Sequence, residues 1–305
     1  MTGKWFILGI GSAAILTAAV VIGFVPAKYA YLALTTPGGA CSVRQAASVE
    51  SHKRDLTAAK DRILKASKLV RTDDTGLELY ETPYGQFWAP KGSRYILPFN
   101  FAEQDIAIYG TGPQAIQKGD VVLDCGANVG TFARFALDAG AAKVVAIEPA
   151  PDNLECLRRN FPKEIADGRL VIYPKGVWDK DDVLEFLVDP DNQAADSFVI
   201  HRKGATATVK LPLTTIDKMA AELGLTKVDF IKMDIEGAEV KALYGARETI
   251  AKNHPRLSLS VYHQADHPVE VPKAVRAAWP EVKIDCGHCA YANGAVRAEV
   301  LYFHQ

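Results

Sequence analysis

The sequence predicts an α/β protein: a doubly wound, mostly parallel sheet with a terminal antiparallel strand, preceded by one N-terminal transmembrane helix. Three observations carry this. Short apolar runs such as VVLD (121–124), KVVAI (143–147) and VDFIKMD (228–234) suit strands buried on both faces and are too short for helices. They alternate with helical stretches, the pattern of a parallel sheet with crossover helices. The stretch Trp5–Ala27, WFILGIGSAAILTAAVVIGFVPA, carries no charge. As a helix it spans about 34 Å, enough for a hydrocarbon core of about 30 Å.

Trp5 lies at one end of that stretch, and Tyr29 and Tyr31 just beyond the other, where amphipathic rings prefer the interface. A cleaved signal peptide is the rival reading, with Lys4 as its basic region and AKYA as its end. The apolar stretch exceeds the usual length of about 7–15 residues, which favours an uncleaved anchor. A lipoprotein reading of Cys41 is poorer, because GGAC lacks the expected apolar residue before it. Beyond the span, Arg44–Arg71 holds eight Lys/Arg against three Asp/Glu, a local net of +5. This favours the C-terminal bulk on the cytoplasmic side.

The remaining elements follow in order. Residues 1–28 are the anchor and 29–71 a linker with a basic helix; 72–305 form the α/β domain. In the basic helix Leu56, Ile63 and Val70 recur at sevens, with Leu64 and Leu69 adjoining. That stripe suits a solvated helix packed on the domain, a coiled-coil stalk or a basic face on anionic lipid. GLELYETPYGQFWAP alternates and breaks at Pro83-Tyr84-Gly85, a hairpin. Strands are expected at 120–125, 143–147, 169–173, 228–234 and 257–262, and helices at 131–139, 153–160 and 238–251. VLEFLV, SFVI and TATVKLP between Asp182 and Pro212 read as added antiparallel strands, and the tail VKIDC…YFHQ as a closing pair.

Composition excludes little else. The chain has 305 residues, 49 % hydrophobic and 23 % charged, ordinary for a globular protein. A net charge of −1 gives no reason to expect nucleic acid as the partner. Five cysteines, odd in number and scattered, argue against a disulfide framework and fit a reducing compartment.

The turn after the first parallel strand, DCGANVGTF, spaces its glycines G-x-x-x-G. It fits neither the dinucleotide fingerprint, which wants glycine where Asn128 and Thr131 stand, nor a P-loop. Asp124 closes the strand, where a carboxylate would repel a pyrophosphate but accept from an ammonium or hydroxyl. Glu148 ends the next strand in AIEPAPDN, the usual place of a ribose clamp. A ribose with a cationic amino-acid tail and no phosphate describes S-adenosylmethionine.

VVLDCGANVGTF with AIEPAPDN resembles the first two motifs of Rossmann-like S-adenosylmethionine-dependent methyltransferases. KGDVVLDCGANVG, VDFIKMDIEGAE and PRLSLSVYH in that order resemble, more narrowly, the FkbM-type methyltransferases, over about Leu77 to the C-terminus. Cys125 stands where a small aliphatic is more usual. The resemblance implies that Gly126 and Gly130, with Ala127 and Asn128 between them, let the backbone approach the cofactor's amino-acid moiety. It places Asp124 near the ammonium and Glu148 on both ribose hydroxyls. KGVWD follows the third strand, so Val177 or Trp178 would cover adenine, with core packing an equal alternative for Trp178.

Asp234, Glu236 and Glu239 cluster where FIKMDIEGAEV leaves its strand, in the crevice where ligands bind such sheets. Asp234 and Glu236 are candidates for base or acceptor positioning, and His263 in SVYHQADH is a second candidate base. Glu236 and Glu239 would alternatively only charge the helix N-terminus. Lys232, an ammonium in a buried strand, should reach the cleft or pair with one of these acids. No metal is assigned; a divalent ion on Asp234, Glu236 and His263 is the weaker alternative. CGHC (286–289) lacks the helix a thioredoxin-like motif needs and has too few ligands for zinc. These features predict O-methylation of a lipid, lipid-linked sugar or other membrane-associated acceptor, the oxygen resting on the resemblance alone. The alternative is a methyltransferase-like structural or interaction subunit of a membrane complex, with a membrane-protein partner.

Overall fold

The computed structural model describes residues 27–36, 41–188, 207–292 and 294–305. The expected anchor, but for its last two residues, lies outside the described residues, as does the run SFVI. Among the described residues no helix is long and apolar enough to cross a membrane.

A helical run at 27–35 precedes α1 (Val43–Ala47), which opens on a capping box between Ser42 and Gln45. The long helix α2 (Val49–Ala66) follows. It stops five residues short of the expected end, and Lys68–Thr72 instead forms strand β1. Leu69 and Val70 therefore leave the helical stripe and stand exposed, while Ile63 is fully buried. Pairing of β1 with β2 (Glu78–Thr82) outweighs the helix propensity of the lysine-rich tail. β2 and β3 (Gly85–Ala89) are the expected hairpin, so one small sheet joins the basic segment to the domain. α2 lies on the domain, packed against α3 (Ile96–Asp105), a helix the sequence pattern did not reveal.

Next come β4 (Val121–Cys125), α4 (Thr131–Asp138), β5 (Lys143–Ile147), α5 (Pro151–Asn160), α6 (Pro162–Ala166) and β6 (Leu170–Tyr173). Proline at the first position of α5 and of α6 has no helical hydrogen bond to lose there. β7 (Gly176–Val177) pairs with β9 (Ala207–Thr214), and β9 pairs antiparallel with β8 (Asp182–Val188), the added strands that the sequence predicted. After α7 (Ile216–Glu222) come β10 (Phe230–Met233), α8 (Glu239–Tyr244), α9 (Arg247–Asn253), β11 (Arg256–Ser260) and α10 (His267–Arg276). The helix expected over 238–251 breaks at Gly245, where a Cβ would stand 2.0 Å from the carbonyl oxygen of Trp178.

The tail holds four strands rather than a closing pair: β12 (Lys283–Cys286), β13 (Cys289–Ala292), β14 (Ala295–Ala298) and β15 (Val300–His304). The main sheet runs β12-β15-β11-β10-β4-β5-β6. Strands β11, β10, β4, β5 and β6 are parallel, and at one edge β15 runs antiparallel to both β11 and β12. The order turns back between β4 and β10, the crevice where ligands bind open α/β sheets.

The cysteines depart from expectation. Cys41 and Cys289 form a disulfide across 248 residues, leaving Cys125, Cys156 and Cys286 free. Spacing along the chain cannot show a pair that only the fold brings together.

Gly130 precedes α4 at φ +94°, and a Cβ there would lie 2.3 Å from the Phe161 ring. Gly130→Ala should therefore destabilise by about 2 kcal/mol or more through backbone strain and overpacking. A urea midpoint equal to that of the parent would contradict this close packing.

Candidate active site

The crevice gathers the ends of β4, β5, β10 and β11 with the loop after α3. The turn from Gly126 to Gly130 is built on left-handed backbone, with Gly126 at φ +80° and Asn128 at φ +50°. A Cβ on Gly126 would stand 2.0 Å from the carbonyl oxygen of Asp234, so this glycine lets β4 and β10 leave the sheet side by side. The amides of Gly126 and Ala127 both donate to the carbonyl of Ile147. Asn128 accepts from the amide of Val129 at 2.8 Å. Asn160, at the end of α5, donates to the carbonyls of Val129 and Trp88 and ties the turn to β3.

Asp124 and Lys232 sit beneath this turn, cross-strand neighbours in the β4–β10 register. Asp124 is fully buried, and its Oδ1 lies 3.1 Å from Lys232 Nζ. Lys232 also donates to the carbonyl of Gly126 at 2.8 Å. Burial opposes the charge of Lys232, but Asp124 and then Asp234 outweigh it and raise its pKa. Lys232 thus pairs with the acid of the first motif rather than with the acid cluster on its own segment, and it props the turn from below.

Glu148 is buried at the end of β5. Its Oε2 accepts from the amide of Asn128 at 2.9 Å and its Oε1 from the amide of Ala150 at 2.8 Å. The Asn153 side chain hydrogen-bonds to this carboxylate as well. Val177 is buried among core residues with Ile216 and Met219. Trp178 is half-buried, with Lys241 Nζ 5.9 Å from its ring centroid.

A cavity of about 60 Å³ opens between the turn and α3, lined among others by Asn128, Thr131, Lys232, Asp234 and Glu103. Burial and then the charge of Asp234 push Glu103 well above the usual carboxylate range. Asp234 meets this cavity with a side chain 22 % exposed. Its Oδ2 accepts from the Tyr109 hydroxyl at 2.8 Å and its Oδ1 from the Tyr262 hydroxyl at 3.3 Å. Burial works against its charge, yet His263, Lys232 and the Tyr109 hydrogen bond hold its carboxyl below the usual range.

Behind Asp234 stands His263, its side chain 2 % exposed, with Nε2 3.4 Å from Asp234 Oδ1 and 3.7 Å from Glu236 Oε2. Its Nδ1 lies 2.8 Å from Glu239 Oε1. Burial disfavours the imidazolium, but Glu239, with Asp234 and Glu236, pushes His263 up to about 9. Glu239 is fully buried; it accepts from the amide of Ile235 at 3.0 Å, and its Oε2 lies 3.3 Å from His267 Nδ1. It is therefore a buried partner of two histidines rather than a solvated charge on a helix end. Glu236 holds φ +54°, a left-handed conformation that is strained for this residue type.

The donor atoms of Asp234, Glu239 and His263 fall within 4.8 Å of one another. They occupy opposite sides of one imidazole, Glu239 at Nδ1 and Asp234 at Nε2. The three side chains are thus linked through the imidazole, and their donor atoms stand close enough together to hold a cation as well. Sequence reasoning missed Tyr109, Glu103, Tyr262 and His267. Tyr262 adjoins His263 and His267 follows at four residues, but nothing local marks Tyr109, which is 125 residues from Asp234.

A profile of the Methyltransferase FkbM domain matches residues 124–281, just over half of the chain. The chain belongs to the FkbM methyltransferase family. Within this family it is similar to the 31-O-demethyl-FK506 methyltransferase FkbM of Streptomyces tacrolimicus, 27 % identical over 162 residues (44 % of this chain, 62 % of that one). It is 25 % identical over 162 residues to the hexuronic acid methyltransferase AglP of Haloferax volcanii (53 % and 64 %). It is 28 % identical over 153 residues to the 2-O-methyltransferase NoeI of Sinorhizobium fredii (45 % and 62 %). The chain spans less than two thirds of the length of each of these relatives. The FkbM match begins at Asp124 and takes in the turn, Glu148, the acid cluster and His263.

Proposed function

We propose that the chain is an S-adenosylmethionine-dependent O-methyltransferase. We further propose that Trp5–Ala27 holds it at a membrane with the α/β domain on the cytoplasmic side. Its acceptor would be a lipid, a lipid-linked sugar or another membrane-associated molecule. The observation that carries the reaction class is one crevice of an FkbM domain holding both a backbone-anchored Glu148 and the line Glu239–His263–Asp234. The names of two relatives specify a methylated oxygen and that of a third a sugar acid, which supports oxygen and a sugar-bearing acceptor.

The residues fit the cofactor. Glu148, held by the amides of Asn128 and Ala150 at the end of β5, stands where a carboxylate would accept from the ribose, and the turn 126–130 with its cavity would border the amino-acid portion. Asp124 acts through Lys232 to hold that turn. Trp178 stays the candidate neighbour of adenine, with Val177 as core beneath it. Bound there, S-adenosylmethionine supplies an electrophilic methyl carried on a sulfonium.

Asp234 accepts a hydrogen bond from the acceptor hydroxyl and orients its oxygen. The proton moves through Asp234 to Nε2 of His263, and Glu239 balances the imidazolium at Nδ1. Asp234 touches the acceptor, while His263 and Glu239 are positioning residues behind it. Glu148→Ala should weaken cofactor binding more than about tenfold, the loss of two charge-assisted hydrogen bonds. Unchanged affinity by calorimetry would remove the ribose assignment.

His263 takes a proton only when neutral. With its pKa pushed up to about 9, kcat/KM for the cofactor should climb about tenfold per pH unit and level off above about 9. In His263→Gln the climb should vanish while cofactor affinity changes less than about threefold. A wild-type profile in that variant would contradict the relay. Because the folded pKa lies above the ordinary 6.5, His263 also lends stability. That stability is complete below about pH 6.5 and is lost as pH rises through about 9.

The basic excess in 44–71 and the cytosolic supply of cofactor support the cytoplasmic side. The Cys41–Cys289 bridge speaks for an oxidising one. Protease added to sealed, cytoplasmic-side-out vesicles should digest the domain; protection would place it on the other side.

A further inference from the structure

Three sulfurs meet where the N-terminal segment docks on the domain. Cys41 is bonded to Cys289, and the free Cys286 Sγ lies 3.7 Å from Cys289 Sγ. All three sulfurs fall within 4.8 Å of one another. Cys286 ends β12 and Cys289 opens β13, so only Gly287 and His288 separate them. The corner is rigid. The amide of Gly287 donates to the carbonyl of Val300, and that of Glu299 to the carbonyl of His288. A Cβ on Gly287 would stand 2.8 Å from the Tyr302 hydroxyl. The free sulfur therefore stays beside the bridge.

The geometry points to a thiol–disulfide exchange site in which Cys286 displaces Cys41 from Cys289. The Cys286 thiolate attacks Cys289 Sγ, the Cys286–Cys289 bond forms, and the Cys41–Cys289 bond breaks. Cys41 leaves as a thiolate and takes up the proton that Cys286 lost. One disulfide is present before and after, so no oxidant or reductant is consumed.

The two bridges do different things. Cys41–Cys289 closes almost the whole chain and staples the segment from residue 41 to the far edge of the fold. Cys286–Cys289 closes only a local corner and leaves that segment held by weaker contacts. These include Gln45 Nε2 on the carbonyl of Cys286 at 2.6 Å, His52 against Glu299 at 2.7 Å and stacked on His288, and the Tyr29–Tyr291 ring pair. The exchange is thus a latch at the junction between the domain and the chain that leads back to Trp5–Ala27. It does not depend on the proposed reaction.

Burial pushes the Cys286 thiol up to about 12, so exchange is slow at neutral pH and accelerates about tenfold per pH unit.

The full chain in detergent, isolated without reductant, is held at pH 7 to 9.5 and quenched in acid at intervals. Free thiols are then alkylated and the disulfides mapped by mass spectrometry. Cys41–Cys289 should fall as Cys286–Cys289 rises and Cys41 becomes alkylated. The rate should rise about tenfold per pH unit and be independent of protein concentration. In Cys286→Ser, Cys41 should stay bridged at every pH. The proposal is overturned if Cys41 in the parent stays as protected as in Cys286→Ser. It is equally overturned if all three cysteines are alkylated from the start.

Discussion

Asp234→Asn is expected to lower kcat by about 10²- to 10⁴-fold with the fold intact and cofactor affinity nearly unchanged. The substitution keeps the size of the side chain and one oxygen for the Tyr109 hydroxyl. It removes the charge that accepts from the acceptor and that faces His263 at 3.4 Å. An amide cannot pass a proton to His263, so the relay behind it is cut even where the acceptor still binds. Single-turnover kinetics with saturating cofactor would read the chemical step directly. Parental kcat in a folded Asp234→Asn sample would move the acceptor-facing group elsewhere in the crevice.

Lys232→Met should be the most destabilising single change in the site, by about 3–5 kcal/mol, because it leaves the fully buried Asp124 charged and unpaired. The double variant Lys232→Met/Asp124→Asn removes that orphaned charge and should regain most of the loss in a denaturant titration. It should not regain cofactor binding, since the donation from Lys232 to the carbonyl of Gly126 is gone. If the double variant bound cofactor like the parent, the pair would matter only for the sheet. If Lys232→Met were as stable as the parent, the ion pair would not be the support described.

What the sequence shows and what it hides divide along physical lines. The parallel strands are legible because burial on both faces leaves an uninterrupted apolar run, as in Val121–Cys125 and Phe230–Met233. Glu148 and Asp234 are legible because each directly follows such a strand, where side chains reach the crevice. Asp124, near the end of β4, is buried on Lys232 instead of facing the crevice. The partner of Lys232 is less so, since the register that sets it beside Asp124 joins strands about a hundred residues apart. The same reason hides Tyr109 and the pairing of Cys41 with Cys289. The β1 strand was lost within a helical pattern because Lys68–Thr72 owes its form to β2, not to its own propensity. Glu239 sits at the start of a helix, where an acid is favourable on its own account. Only its burial and its contact with His263 distinguish the two roles.

The basic segment also bears on how the protein should be handled. α2 packs on α3, β1 pairs with β2, and Cys41 is bridged to Cys289. A chain cut at Asp73 would expose the face against which Ile63 is buried. The full chain is the proper sample.

The measurement that tests the central claim most directly is calorimetric titration of that full chain with S-adenosylmethionine, with NADH as the control. The account predicts binding of S-adenosylmethionine with a Kd of about micromolar order and none of NADH. A folded sample that binds NADH, or that leaves S-adenosylmethionine unbound, would contradict it.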